Sequence, residues 1–176
     1  MKHEMIKRAA IFAAKAHKDV GQVRKYTGEP YIVHPAEVAK LVSTVTDDPE
    51  IISAAWLHDV VEDTPTTLAH IELEFGWRVA RLVNDLTDVA VPSDGNRAAR
   101  SEINRKHTAT ICPDAQSIKL CDLYSNTRSI VEHDRNFAIV YLKEKELVLQ
   151  HLTQGHPTLY NMTVDSLIQS KLKLML

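Results

Sequence analysis

Cysteine is nearly absent: Cys112 and Cys121 are the only two in 176 residues, and they do not form a CxxC pair. That excludes a disulfide framework and a closed thiolate metal site, and both are read as reduced packing residues. Long apolar runs are missing as well. No stretch approaches the ~20 residues that a membrane span needs. Near the N-terminus the uncharged run Ala9 to Ala14 lies between basic residues and is shorter than the ~7–15 residues of a signal-peptide core. The expected location is therefore cytoplasmic, with no membrane partner. Neither sign of charge dominates, since 21 Lys and Arg face 23 Asp and Glu for a formal charge of −2. A chain so balanced has no global attraction to nucleic acid, and none is expected as a partner. Any anionic substrate must be met by local positive charge or by a metal.

Repeats, low-complexity tracts and sustained alternation are absent too, which leaves helical periodicity. The 44% apolar and 25% charged composition is that of a soluble globular chain large enough to bury a core without staples. The expectation is all-α. Ile6, Ala9, Ala10, Ala13 and His17 share one face at helical spacing. "GQVRKYTGEPYIVHP" is a loop, broken by Gly21, Gly28, Pro30 and Pro35. A helix restarts at Pro35, near its first turn. Asp48 caps the next helix, Pro49 opens it, and it runs to about Asp63 before Thr64-Pro65. Two further helices flank Gly76, a C-cap. "VPSDGN" is a loop. A charged helix spans about Arg97 to Ile111 and Pro113 stops it. "DAQSIKLCDLYSNTRSI" and "RNFAIVYLKEKELVLQHL" are helical, and one more helix follows Gly155-His156-Pro157.

Within this pattern "LHDVVEDT" stands out. On one continuous helix His58, Asp59, Glu62 and Asp63 fall within an arc of roughly 140°. The residues before them, Ile51 to Leu57, are apolar almost all round, the mark of a buried helix. Three carboxylates and an imidazole in such a place repel and desolvate unless something positive sits there. The simplest such partner is a metal ion. His34, at a loop–helix junction, and Asp122, inside an apolar helix with Lys119 and Asn126 on its face, are the further candidate ligands. Two histidines and two aspartates suit Mn²⁺, Fe²⁺ or Zn²⁺ in a site open to water. His3, His17, His70, His107, His133, His151 and His156 are read as surface or packing residues.

These residues, His34, His58-Asp59 and Asp122, resemble the signature of the HD-domain metal-dependent phosphohydrolases. The words "GQVRKYTGEPYIVHPAEVA", "AAWLHDVVEDT", "FGWRVARLVNDLTD" and "IKLCDLYSNT" narrow the likeness to the hydrolase domain of the RelA/SpoT family, and the length to its stand-alone small alarmone hydrolases of the Mesh1 type. The resemblance covers roughly residues 5 to 155. It implies an HD-domain helical bundle over 1–155, with 156–176 as a C-terminal helical tail of the same domain. The implied activity is Mn²⁺-dependent 3′-pyrophosphohydrolysis of (p)ppGpp to GDP or GTP and pyrophosphate, another divalent metal being an alternative. The implied metal ligands are His34, His58, Asp59 and Asp122, and the implied catalytic pair is Glu62 and Asp63, acting on the attacking water. Arg24 and Lys25 are implied as nucleotide and phosphate contacts, Asn126 as a ribose contact and Tyr141 as a pocket wall. Lys119 is read as a further substrate contact. Cys121 stands where the family usually has alanine, and the loop from Pro92 to Arg100 fits loosely, which leaves the guanine and 5′-phosphate contacts open. Homo-oligomerisation is left open as well. Three other readings compete: another nucleotide as substrate, such as a 2′-phosphorylated nicotinamide nucleotide or a cyclic nucleotide; a non-catalytic metal-binding HD module; and a helical nucleic-acid binder, for which no basic stripe is visible.

Overall fold

The computed structural model describes residues 2–174. These are helical almost throughout, and the described residues contain no strand beyond one isolated antiparallel bridge between Val23 and Pro30. No described helix is long and apolar enough to cross a membrane. The chain divides into two compact units, Met1–Thr87 and Asp88–Leu176.

The first unit is built around α3 (Pro49–Leu57), against which α1 (Lys2–Asp19), α2 (Val33–Val42) and α6 (Trp77–Leu86) pack. The apolar run of α3 explains its place, for Ile51, Ile52, Ala54, Ala55 and Leu57 are all buried. The short α4 (Val60–Asp63) touches α1, and α5 (Leu68–Phe75) packs on α6. Gly76, with φ 88°, ends α5 as its spacing predicts. Asp48 caps α3 through its side chain, which accepts from the Glu50 amide at 2.9 Å, and Arg78 bonds the same carboxylate at 2.8 Å.

Burial pushes the Asp48 carboxyl up, but the Arg78 guanidinium and the Glu50 amide outweigh it and hold it below its ordinary value. A carboxyl lowered on folding contributes stability above its unfolded pKa, and that stability is lost as pH falls through the folded value. Asp48→Ala should cost about 1 kcal/mol at neutral pH by loss of the cap. Asp48→Asn should keep the cap but flatten the acid limb of the stability curve. Urea unfolding at a series of pH values reads both, and an unchanged acid limb in the Asn variant would contradict the assignment.

One expected helix is broken. The helix from Pro49 does not run to Asp63: it stops at Leu57, turns at His58–Asp59 and restarts as α4. The cause is His58. Its Nδ1 lies 2.8 Å from the Ala55 carbonyl, the acceptor that an unbroken helix would offer to the Asp59 amide. Asp59 takes φ −98°, ψ −5°, outside regular helix. The expected single helix is therefore replaced by a turn that carries His58 and Asp59, followed by a short helix that carries Glu62 and Asp63.

The second unit centres on α8 (Pro113–His133), with α9 (Arg135–Leu149) and α10 (Pro157–Leu174) packed on it and on each other. Before them, a 3₁₀ turn (Pro92–Asp94) leads to α7 (Arg97–Thr108), three residues shorter than the spacing suggests. The loop at Gly155 presses so closely on α8 that an added Cβ would lie 2.7 Å from Leu120 Cδ1. Both cysteines are free, as expected, and burial pushes the Cys121 thiol up to about 12.

Candidate metal centre and active site

His34 enters from the first turn of α2, which begins at Val33 rather than at Pro35. An early proline is tolerated because the first amides of a helix have no internal acceptor. His58 and Asp59 enter from the turn after α3. His34 Nε2 and His58 Nε2 lie 3.3 Å apart, and Asp59 Oδ2 lies 3.6 Å from the first and 3.2 Å from the second. Both imidazoles are buried. A carbonyl can only accept, so the bond to Ala55 puts the His58 proton on Nδ1 and leaves the Nε2 lone pair facing the centre. Two imidazole nitrogens and a carboxylate oxygen crowded this way fit a divalent cation, which takes N and O donors of this kind. Three of the four expected ligands are thus brought together in one unit.

Glu62 and Asp63 follow on α4, one turn beyond. The Asp63 carboxyl turns back to the α1–α2 loop, where Gln22 Nε2 donates to its Oδ2 at 2.9 Å. Burial pushes that carboxyl above its ordinary value; the Gln22 bond opposes the shift and the Asp59 charge reinforces it. The loop itself is a tight reversal. Arg24 N donates to Glu29 O at 2.8 Å and Gly28 N to Arg24 O at 2.9 Å, a closure in which Gly28 takes φ 71°. It carries Arg24, whose guanidinium lies 5.8 Å from the Tyr31 ring, and Lys25, 4.9 Å from the Tyr26 ring.

The remaining expected residues belong to the second unit. Asp122 is buried in α8. Lys119 Nζ lies 3.1 Å from its Oδ2, and Asn126 Nδ2 donates to its Oδ1 at 2.6 Å. The face predicted by the i−3 and i+4 spacing is therefore real, and both oxygens of this carboxylate have protein partners. Tyr141 is buried in α9, where burial first and the Asp122 charge second raise its hydroxyl.

Four residues, three in the first unit and one in the second, escaped sequence reasoning. Tyr31 donates its hydroxyl to Asp59 Oδ2 at 2.6 Å. Gln22 reaches Asp63, and His17 reaches Gln22. Lys145 places its ammonium 5.2 Å from the Tyr141 ring, and burial, followed by the Lys119 charge, pushes its pKa down. Only Lys145 had a legible signal, its i+4 spacing from Tyr141.

Residues 9–139 match the HD domain family model. A guanosine-3′,5′-bis(diphosphate) 3′-pyrophosphohydrolase of Aquifex aeolicus (strain VF5) is 38% identical over 129 residues, which are 72% of this chain but 18% of that protein. The Homo sapiens guanosine-3′,5′-bis(diphosphate) 3′-pyrophosphohydrolase MESH1 is 39% identical over 126 residues, 69% of this chain and 67% of its own. A solved structure described as a metazoan ortholog of SpoT that hydrolyzes ppGpp and plays a role in starvation responses superposes with a TM-score of 0.83 at 26% identity, over 94% of each chain. With the His34, His58 and Asp59 donors converging inside the matched span, the chain belongs to the HD domain family.

Proposed function

We propose that this protein hydrolyses the 3′-pyrophosphate of ppGpp and pppGpp, releasing pyrophosphate and GDP or GTP. The observation that carries the reading is the convergence of His34, His58 and Asp59, with Glu62 and Asp63 one turn beyond. The names of similar proteins support the substrate. His34, His58, Asp59 and, by its motif, Asp122 would hold a divalent cation, manganese in our reading. When bound, it supplies Lewis acidity and neutralises charge on the phosphoryl group.

The protein's own groups do the rest. Glu62 accepts a proton from the attacking water, and Asp63 orients that water with it. Arg24 offers a planar fork to a phosphate or a stacking face to the purine, and Lys25 a point charge. Lys119 adds positive charge beside Asp122, Asn126 bonds a ribose hydroxyl, and Tyr141 closes the pocket wall. The nucleoside and its phosphates form a second anchor that orients the reacting phosphorus.

Incubation with a panel of nucleotides in Mn²⁺, with products identified, tests the reading. Pyrophosphate should leave ppGpp intact, far faster than orthophosphate leaves p-nitrophenyl phosphate. Arg24→Ala should raise KM for ppGpp and change kcat less than Glu62→Ala does. Comparable kcat/KM on both substrates would mean a general phosphatase. Turnover of a 2′-phosphorylated dinucleotide, with none of ppGpp, would assign the site to that substrate instead.

A further inference from the structure

The C-terminus of α1 carries a polar contact where the fold calls for an apolar one. Gly21, at φ 66°, turns the chain, its amide donates to Lys18 O at 2.9 Å, and the Gln22 amide donates to His17 O at 3.0 Å. This is the Schellman closure, in which the residue three from the helix end and the second residue past it usually meet through hydrophobic side chains. Here those two residues are His17 and Gln22, and His17 Nδ1 lies 2.6 Å from Gln22 Oε1. The backbone bonds already terminate the helix, so the two side chains are not needed for that.

Burial sharpens the point. His17 is 1% exposed, on the face it shares with Ala9 and Ala13, both at 0%. An imidazole there costs more than a leucine unless its polarity is used. The direction of the bonds says where it is used. The ionised Asp63 carboxylate only accepts, so the Gln22 amide nitrogen faces it, at 2.9 Å. The amide oxygen then faces His17, whose proton must sit on Nδ1, while the buried Nε2 has no partner among the described residues. His17 thus donates to Gln22, and Gln22 in turn donates to Asp63. The imidazole also lies 4.7 Å from the Tyr31 ring, whose hydroxyl donates to Asp59. One cluster therefore restrains the carboxylates of both Asp59 and Asp63.

We propose that His17 and Gln22 are positioning residues for the reaction: His17 fixes the orientation of the Gln22 amide, and the amide holds the Asp63 carboxylate in its working place. The inference rests on the role given to Asp63 under the proposed function. Its test uses Gln22→Leu, which restores the ordinary apolar contact, and Gln22→Glu, which still accepts from His17 but offers Asp63 no donor.

Both variants should lose about 10–100-fold in kcat on ppGpp, the usual worth of an outer partner, with KM and Mn²⁺ affinity within about threefold of the parent. Gln22→Leu should unfold at the parent's urea midpoint or above it. Imidazole ¹⁵N spectra should show His17 protonated on Nδ1 in the parent and in Gln22→Glu, and lose that signature in Gln22→Leu. Parent-like kcat in either variant overturns the relay, as does a fall in Mn²⁺ affinity that matches the fall in kcat. If Gln22→Leu fails to fold, the apolar contact is not sufficient there and the relay is overturned as argued. A parent protein inert toward ppGpp would count against the substrate assignment alone, and the His17 spectrum would still decide the relay: an Nε2-bound proton overturns it.

Discussion

Replacing His58 with alanine should cost the protein its divalent cation and its turnover together. The side chain is 2% exposed, and its Nε2 is 3.2 Å from Asp59 Oδ2 and 3.3 Å from His34 Nε2. Alanine removes a donor from the heart of the centre and frees the Ala55 carbonyl, so Asp59 also loses the turn that aims it. The loss of Mn²⁺ affinity should exceed the ~10–100-fold that an outer partner is worth. Asp122→Ala should behave likewise if Asp122 is a ligand, and it leaves the Lys119 ammonium without the carboxylate now 3.1 Å away. Calorimetric titration with Mn²⁺, beside circular dichroism as a check on folding, reads the effect. For the parent, affinity should weaken as pH falls, because a ligating imidazole must be unprotonated. A folded His58→Ala protein that binds Mn²⁺ as tightly as the parent would dismantle the centre described here.

Glu62→Ala should do the reverse: keep the cation and lose the rate. Glu62 lies on α4, after the turn that carries His58 and Asp59, and belongs to no three-donor cluster among the described residues. A general base is worth on the order of 10²–10⁴ in rate, and the loss should fall on kcat with KM nearly unchanged. Mn²⁺ titration should overlay that of the parent. Near-normal turnover would remove Glu62 from the chemistry. A joint loss of cation and turnover would make it a ligand instead. The contrast between the two variants is the sharpest available separation of holding the cation from using it.

The helices were legible in the sequence because their signals are local. Periodic apolar residues mark α1 and α3, Asp48 and Pro49 mark a start, and Gly76 marks a stop, each within a turn or two of the feature it announces. The donor set was legible for a related reason. His58-Asp59 is a dipeptide at the end of a buried run, which singles out His58 and the half-buried Asp59, whereas Glu62 and Asp63 are exposed and do not carry the burial expected of them. What the sequence hid is how those groups are aimed. The break after Leu57 depends on His58 competing for a backbone carbonyl, and periodicity alone reads straight through it. Tyr31 and Asp59 are 28 residues apart, and Gln22 and Asp63 are 41. Contacts of that separation leave no periodic trace, because no local geometry brings the partners together. His17 reads as one more packing residue on the face of α1, and in burial it is one. Only the Gln22 amide, turned by its bond to Asp63 on α4, gives the His17 Nδ1 a direction. The sequence by itself determined that there would be helices and that His58-Asp59 would close a buried run. The tertiary structure decided which hydrogen bonds hold the carboxylates, because those bonds exist only once the helices have met.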